Sequence, residues 1–387
     1  MDRQNGYRKR SPSRAKNFFA AGWTRLCALC RTEKAKEFLF SLLKIAVALL
    51  AAVLAAIVVI LIASDSPGEN IAIFFLSPFG DSYSLANIVT QAVPLIFTGT
   101  AVCIMTRCKQ FNMFVEGAFF LGAFAAAWMA PALPFPPVLL PLFCMIAAAV
   151  IAGIVGYIPA KLKAGLGVNE FVSSLMLNFI VLWVVLYLLY HVVVSDEIYK
   201  TPLLEDSMKL PWLDRDNDLS SSILIALLVA VLGGLFLFKT KWGYRIRMTG
   251  DNPSFAEYCG INTKRTIVSS QVMGAGIAGL GGAAFFLGNY YRFDWKALPN
   301  YGFDGFVIAI MANNNPFLVP IASLFLAYLR VGALNMARLG DVPNDVIYMI
   351  QAIIIILFGA TALFKKLSSA RRRREEAPKE EEKEAVC

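Results

Sequence analysis

The chain has 387 residues, of which 58% are apolar and 16% are charged, and its formal net charge is +9. The apolar residues are concentrated in runs of about 20, the length needed to cross a bilayer, so the composition excludes an ordinary soluble domain. The basic residues lie beside these runs, as the positive-inside rule expects, so the net charge does not indicate a nucleic-acid partner.

The apolar runs predict an all-α integral membrane protein of about ten transmembrane helices. Residues 1–37 are strongly basic and are expected to form a cytoplasmic extension with an interfacial helix on the membrane lipids. Residues 38–365 are expected to form the transmembrane domain, and 366–387 a charged cytoplasmic tail. The predicted spans are about 39–63, 86–106, 112–130, 137–160, 168–192, 221–238, 266–288, 303–312, 317–335 and 346–364.

One predicted span, 303–312, is too short for a regular crossing and is expected to be broken or re-entrant. It ends at the sequence Asn313-Asn314-Asn315-Pro316. The charges of the loops set the expected orientation. The loop 64–85 carries no lysine or arginine and 193–220 is net acidic, so both are expected outside, whereas the basic loop 240–265 and both termini are expected inside.

A polar pattern occurs twice in the same order: a glutamine eight residues before a glycine, an acidic residue before a glycine, and an asparagine before an acidic residue. The corresponding positions are Gln91 and Gln271, Gly99 and Gly279, Glu116-Gly117 and Asp304-Gly305, and Asn169-Glu170 and Asn344-Asp345. Two repeats, about 86–192 and 266–364, are therefore expected. The single span between them gives them opposite orientations, an arrangement typical of membrane transporters.

Several polar residues at or within the apolar runs are candidates for the solute pathway or for the support of broken helices. The acidic candidates are Glu116, Glu170, Asp304 and Asp345. Each could contact a solute, or it could sit in a first helical turn and meet the positive end of the helix dipole. Asn169 and Asn344 are natural caps for two of these turns. Asn112, Asn178 and Gln351 could bind a polar solute or bridge helices.

The segment 274–279 matches the glycine pattern of a dinucleotide-binding loop, but it lies inside an apolar run and no strand precedes it. Gly274, Ala278 and Gly282 repeat every four residues, a spacing that lets two membrane helices approach closely. We therefore predict helix packing at these positions. The chain also lacks a phosphate-binding loop and a cysteine–histidine constellation, so no catalytic residue, metal or bound cofactor is expected.

The basic loop 240–265 is predicted to contain a short helix, 253–259. Asn252 is a good N-cap, Pro253 suits the first helical position and Gly260 suits the position past the end. Such a helix could be a docking element for another protein or an ordinary interfacial helix. The residues assigned to it and to its caps are Asn252, Pro253, Phe255, Ala256, Tyr258 and Gly260.

Six short segments between 86 and 364 occur in the order found in a known family. They are Phe111-Asn112-Met113-Phe114-Val115-Glu116-Gly117, Gly167-Val168-Asn169-Glu170, Met176-Leu177-Asn178, the loop from Gly250 to Ile261, Tyr301-Gly302-Phe303-Asp304-Gly305 and Asn314-Asn315-Pro316. Together they resemble the bacterial ABC-importer permeases for simple sugars and nucleosides. Met113-Phe114 stands where that family usually has Ile-Gly, and Ala118 where glutamine is common, changes that could alter solute preference.

The resemblance implies a transport subunit of the bacterial cytoplasmic membrane that is not itself an enzyme. Separate cytoplasmic ABC ATPase subunits, which bind ATP and Mg, would dock on the helix at 253–259. A second permease chain, identical or different, would complete the pathway, and an external solute-binding lipoprotein would deliver the solute. Nucleosides are the expected solutes, with simple sugars such as ribose or galactose as the alternative. An ion-coupled secondary transporter and a membrane scaffold or sensor are the rival classes.

Overall fold

The computed structural model describes residues 66–137, 139–193 and 200–340, together with Leu54, Ile57, Leu61 and Ala352. These residues form α-helices, one short 3-10 helix (Asp206–Met208) and one antiparallel hairpin of strands β1 (Trp212–Asp214) and β2 (Leu219–Ser220). The α-helices are α1 (Pro67–Gly80), α2 (Ser82–Arg107), α3 (Val115–Met129), α4 (Leu140–Leu166), α5 (Glu170–His191), α6 (Ser222–Lys239), α7 (Lys241–Asp251), α8 (Pro253–Tyr258), α9 (Thr263–Asn289), α10 (Tyr301–Met311) and α11 (Val319–Leu339).

Six of the described helices, α2, α4, α5, α6, α9 and α11, are long and apolar enough to cross a membrane. Two further apolar helices, α3 and α10, are shorter than a full crossing. The predicted all-helical membrane fold with short segments is therefore confirmed. The predicted N-terminal extension, the spans 39–63 and 346–364 apart from the four isolated positions, Asn344, Asp345, Gln351 and the charged tail lie outside the described residues.

The prediction of a loop over 64–85 was wrong, because this segment contains α1. Phe74 is completely buried, and Gly332 of α11 lies directly against its carbonyl oxygen. The hydroxyl of Tyr328 donates to the carbonyl of Phe75 at 3.0 Å. The apolar stretch of α1 is too short for a span, and prolines and glycines near both ends favour a loop, so only packing on α11 reveals the helix.

Two other segments differ from the sequence-based prediction. The span expected at 112–130 becomes helical only at Val115, which makes α3 a second short helix beside α10. The loop 240–265 contains α7 as well as the predicted short helix. Thr240 caps α7 by accepting a hydrogen bond from the amide of Gly243 at 3.1 Å. Gly243 lies so close to the carbonyl of Phe236 that a side chain would collide, so the chain turns sharply between α6 and α7.

Helices α2 and α9 occupy corresponding positions in the two predicted repeats, and each packs mainly on helices of the other repeat. Helix α9 contacts α3 and α4, while α2 contacts α10 and α11. Each of these long helices thus contacts the short helix of the other predicted repeat. This reciprocal packing is what an internal symmetry between the repeats would produce.

Helix α9 approaches its neighbours closely through small side chains. Gly282 lies against the carbonyl oxygen of Phe119 in α3, and Gly274 lies against Met105 in α2. Ala278 is completely buried between these positions. The small residues thus act in helix packing, and they let α9 contact α2, α3 and α4 together.

Replacing Gly282 with alanine is expected to destabilise the protein by about 1–3 kcal/mol, because the new methyl group would overlap the backbone of α3. Gly165→Ala is the matched control, since no atom lies within 4 Å of the corresponding methyl position. Thermal unfolding of the purified variants in detergent measures the difference. Equal midpoints for the two variants would contradict the close packing.

The loops 200–221 and 289–302 form one unit at the end of the protein expected to face outward. The amides of Thr201 and Leu204 donate to the carbonyls of Phe293 and Tyr291, at 3.2 and 2.9 Å. Lys209 is buried in this unit, with its Nζ 3.3 Å from the centre of the Tyr291 ring. Burial lowers the pKa of Lys209 to about 8, despite the opposing effect of nearby carboxylates.

Lys209→Met is expected to raise thermal stability at pH 7 and to flatten its dependence on pH. The unfolded chain holds the lysine proton up to about pH 10.4, whereas the folded state releases it near pH 8. Stability of the wild type should therefore rise between these values as the pH rises. Unfolding midpoints of the wild type, Lys209→Met and the exposed control Lys296→Met, recorded along a pH series, test this. A slope that persists in Lys209→Met would disprove the assignment.

Candidate functional site

The polar residues inside the protein converge on the ends of the two short helices, α3 and α10. At the first turn of α3, the Glu116 side chain is buried and reaches the N-terminus of α10. Its carboxylate oxygens accept hydrogen bonds from the amides of Asn300 at 2.6 Å and Gly302 at 2.5 Å. A side chain at Gly302 would collide with the backbone of Glu116, so the two helix N-termini meet directly. One carboxylate therefore lies between two positive helix ends, where a negative charge is stabilised.

Asp304, in the first turn of α10, forms an ion pair with Arg330 of α11. Both side chains are largely shielded from solvent, with exposures of 5% and 14%. Removing one partner of a buried pair leaves the other charge uncompensated, so each residue depends on the other. Arg330 was missed as a candidate, although an arginine within a predicted span (317–335) is itself a signal.

The C-terminal end of α10 is held by the end of α2. Arg107 donates from Nε to the carbonyl of Asn314 at 2.8 Å and from Nη2 to the carbonyl of Asn313 at 3.2 Å. The hydroxyl of Thr106 donates to the Asn314 side chain at 2.8 Å. Asn313 and Asn314 have φ values of 52° and 54°, a left-handed conformation that asparagine tolerates. A cation at a helix C-terminus also complements the helix dipole.

Helix α5 braces the beginning of α3 with three residues spaced four apart, which share one face. Glu170 accepts from the amide of Phe111 at 2.6 Å, and Ser174 accepts from the amide of Met113 at 2.9 Å. Asn178 accepts from the amide of Gly117 at 2.9 Å and donates to the carbonyl of Met113 at 3.0 Å. Ser174 was not a sequence candidate, although its spacing from Glu170 and Asn178 on an apolar helix could have revealed it.

Asn112 joins the segment before α3 to α9. Its Nδ2 donates to the side chain of Gln271 at 2.6 Å, and its Oδ1 accepts from the amide of Phe114 at 2.9 Å. Gln271 was noted only as a repeat position. The hydrogen bond of Asn169 is within its own segment: its side chain caps α5 by accepting from the amide of Phe171 at 3.0 Å. All these contacts hold protein segments together, and direct contact with a solute stays a prediction.

The helix predicted at 253–259 is confirmed as α8. Asn252 caps it by accepting from the amide of Phe255 at 3.1 Å, and Gly260 follows it with a φ of 77°. Ala256 is buried against the protein, whereas the Phe255 and Tyr258 side chains are 50% and 91% exposed. Helix α8 thus presents two large apolar side chains to the outside while its inner face is anchored.

Helices α7 and α8 are connected to the end of α2. Gly250 lies against the carbonyl oxygen of Arg107, and Lys109 donates to the carbonyl of Asp251 at 3.3 Å. Arg107 in turn holds the C-terminal end of α10. A continuous set of contacts therefore runs from the exposed helix α8 to the short helix α10 inside the protein.

This arrangement of short helices, buried polar braces and an exposed terminal helix agrees with the sequence comparison. The profile of a family described as "Branched-chain amino acid transport system / permease component" matches residues 84–359. The chain belongs to this permease family. It is therefore a multi-pass membrane permease, and the predicted relationship to ABC-importer permeases is confirmed.

Among similar proteins, the guanosine ABC transporter permease protein NupP of Bacillus subtilis is 32% identical over 322 residues, covering 81% of this chain and 92% of that protein. The nucleoside ABC transporter permease protein NupB of Lactococcus lactis is 29% identical, covering 73% and 80%. The glucose ABC transporter permease protein TsgB13 of Haloferax volcanii is also 29% identical, covering 77% and 82%. No solved structure matches the permease.

Proposed function

We propose that this permease forms the solute pathway of an ATP-driven importer for nucleosides. The observation that carries the proposal is the similarity to the guanosine permease, which extends over nearly the whole length of that protein. The sequence contains no phosphate-binding loop, so ATP and Mg²⁺ are assigned to separate ATPase subunits and the permease itself has no catalytic role.

The proposed assembly contains a cytoplasmic ABC ATPase, a second permease chain and an external solute-binding lipoprotein, in a bacterial cytoplasmic membrane with both termini inside. Helix α8 is the proposed ATPase contact, because Phe255 and Tyr258 are exposed beside a buried anchor, Ala256. ATP binding would displace α8, and the contacts of Gly250 and Arg107 would pass that displacement to α10. A shift of α10 relative to α3 would then change access to the pathway between the repeats.

A simple-sugar importer is the second candidate, supported by the similarity to the glucose permease. One uptake experiment distinguishes the two candidates. The permease is reconstituted in liposomes with its second permease chain, ATPase and binding protein. ATP-dependent uptake of labelled guanosine is recorded with and without excess glucose or ribose, and uptake of labelled glucose and ribose is recorded in parallel. Guanosine uptake that is insensitive to both sugars is the expected result. Uptake of sugar alone would favour the second candidate, and uptake without the ATPase would overturn the importer class.

The proposed orientation makes Cys259, an exposed thiol directly after α8, reachable only from the cytoplasm. In a variant whose other six cysteines are replaced by alanine, a membrane-impermeant maleimide should label Cys259 in inside-out vesicles and not in intact cells. Permeabilised cells provide the positive control. Labelling of intact cells would reverse the orientation.

A further inference from the structure

A basic cavity lies between α7 and the end of α8, at the point where α6 ends. Its volume is about 530 Å³, and its charged lining residues are Lys239, Lys241, Arg245 and Arg247. None of the residues described as lining it carries a carboxylate. The cavity also touches Gly260, so an occupant would contact the C-terminal end of α8.

Arg247 is the least exposed of the four cations. The Nε of Arg247 is buried and has no hydrogen-bond partner in the described part of the protein. The guanidinium lies 5.5 Å from the centre of the Phe238 ring, which also lines the cavity. The side chains of Lys239, Lys241 and Arg245 are exposed at the cavity, so an anion there can be contacted by these three cations, with the charge of Arg247 adjacent.

An apolar surface on α6 lies on the same helix face as Lys239, which lines the cavity. Leu228, Leu232 and Leu235 are exposed, and their spacing places them on the same helix face as Lys239. The exposed Trp242 and Tyr244 on α7 flank the cavity, as aromatic residues do at the level of lipid headgroups. An occupant with a phosphate at the cations and hydrocarbon along α6 would match both surfaces.

We propose that this cavity binds the phosphate headgroup of an anionic phospholipid of the inner leaflet, with its acyl chains along α6. The site rests on the proposed orientation, in which α7 and α8 face the cytoplasm. The bound headgroup would link the end of α6 to the end of α8 and so hold the proposed ATPase contact at a fixed height relative to the membrane. Basic pockets at the cytoplasmic side of transmembrane helices bind anionic headgroups in this way.

The test uses the complete transporter complex in nanodiscs of phosphatidylcholine with and without phosphatidylglycerol. Native mass spectrometry after detergent release counts the phosphatidylglycerol molecules retained. The variant Lys241→Gln/Arg245→Gln should retain less lipid, by roughly fivefold for each cation removed. Lys241→Arg/Arg245→Lys should retain wild-type levels, because it keeps both charges. Lys161→Gln, which removes an exposed charge from the end of α4, is the control for general charge effects.

Equal retention by the wild type and the double glutamine variant would overturn the site. Loss of the lipid from the wild type at millimolar inorganic phosphate would assign the cavity to a soluble anion and overturn the lipid identity. Lipid retention is measured without transport, so its result does not depend on which solute the permease carries. The orientation is tested independently by the maleimide labelling of Cys259.

Discussion

Arg107→Gln is expected to reduce ATP-dependent uptake about ten- to hundredfold while membrane insertion and ATP hydrolysis by the complex persist. The change removes the hydrogen bond from Nε to the carbonyl of Asn314, and a hydrogen bond to a charged group is worth about 1.5–3 kcal/mol. Each 1.4 kcal/mol that this bond contributes to switching corresponds to about a factor of ten in rate. The C-terminal end of α10 would then no longer follow the movement of α7 and α8.

Two controls distinguish this role from general instability. Arg107→Lys should transport at an intermediate rate, because lysine keeps the charge at the end of α10 but lacks the forked geometry of the guanidinium. Arg265→Gln removes an exposed arginine near the start of α9 and should transport normally. Uptake and ATP hydrolysis are measured on the same proteoliposomes. Normal uptake by Arg107→Gln would show that α10 does not depend on this contact.

Ala256→Pro is expected to abolish ATP-dependent uptake with membrane insertion intact. The amide of Ala256 donates to the carbonyl of Asn252 at 3.0 Å, and proline would remove this bond and clash with the preceding turn. The cost of about 3 kcal/mol or more exceeds what a helix of six residues can absorb. The exposed Phe255 and Tyr258 would lose their common orientation, and the proposed ATPase contact with them.

The matched variant Ala256→Gly keeps the amide donor and costs only about 1 kcal/mol in helix propensity, so it should retain uptake. Co-purification of the ATPase with each variant supplies the second measurement. Ala256→Pro should lose the ATPase and Ala256→Gly should keep it. Retention of a fully active ATPase by the proline variant would remove α8 from the docking site.

The backbone groups at the ends of the two short helices are paired in the same way. Each is too short to cross a membrane, and each leaves backbone groups near its ends that must find partners inside the protein. Glu116 accepts hydrogen bonds at the N-terminal end of α10, and Arg107 donates hydrogen bonds at its C-terminal end. Both residues belong to the first predicted repeat. At the beginning of α3, backbone amides donate hydrogen bonds to Glu170 and Asn178 of α5. The ends of both short helices are therefore paired by side chains of neighbouring helices, in addition to the packing along their length.

Several features of this site were readable from the sequence. Glu116, Glu170 and Asp304 at the edges of apolar runs are buried polar residues, as is Asn178, and Asn252 and Gly260 mark the ends of α8. Helices α1 and α7 could not be predicted from the sequence in the same way. The first is short and bounded by proline and glycine, and the second is amphipathic within a basic loop, so neither produces a long apolar run.

The membrane class, the six long described helices and the caps of α8 depend on the length of apolar runs and on side chains within a few residues, so the sequence was sufficient for them. The partners of the buried polar groups were decided only in three dimensions. Glu116 meets an amide 186 residues away, and Arg107 meets a carbonyl 207 residues away. A buried polar group must be paired, but its own sequence does not specify the partner, because only the packing of the two repeats brings the distant helix ends together.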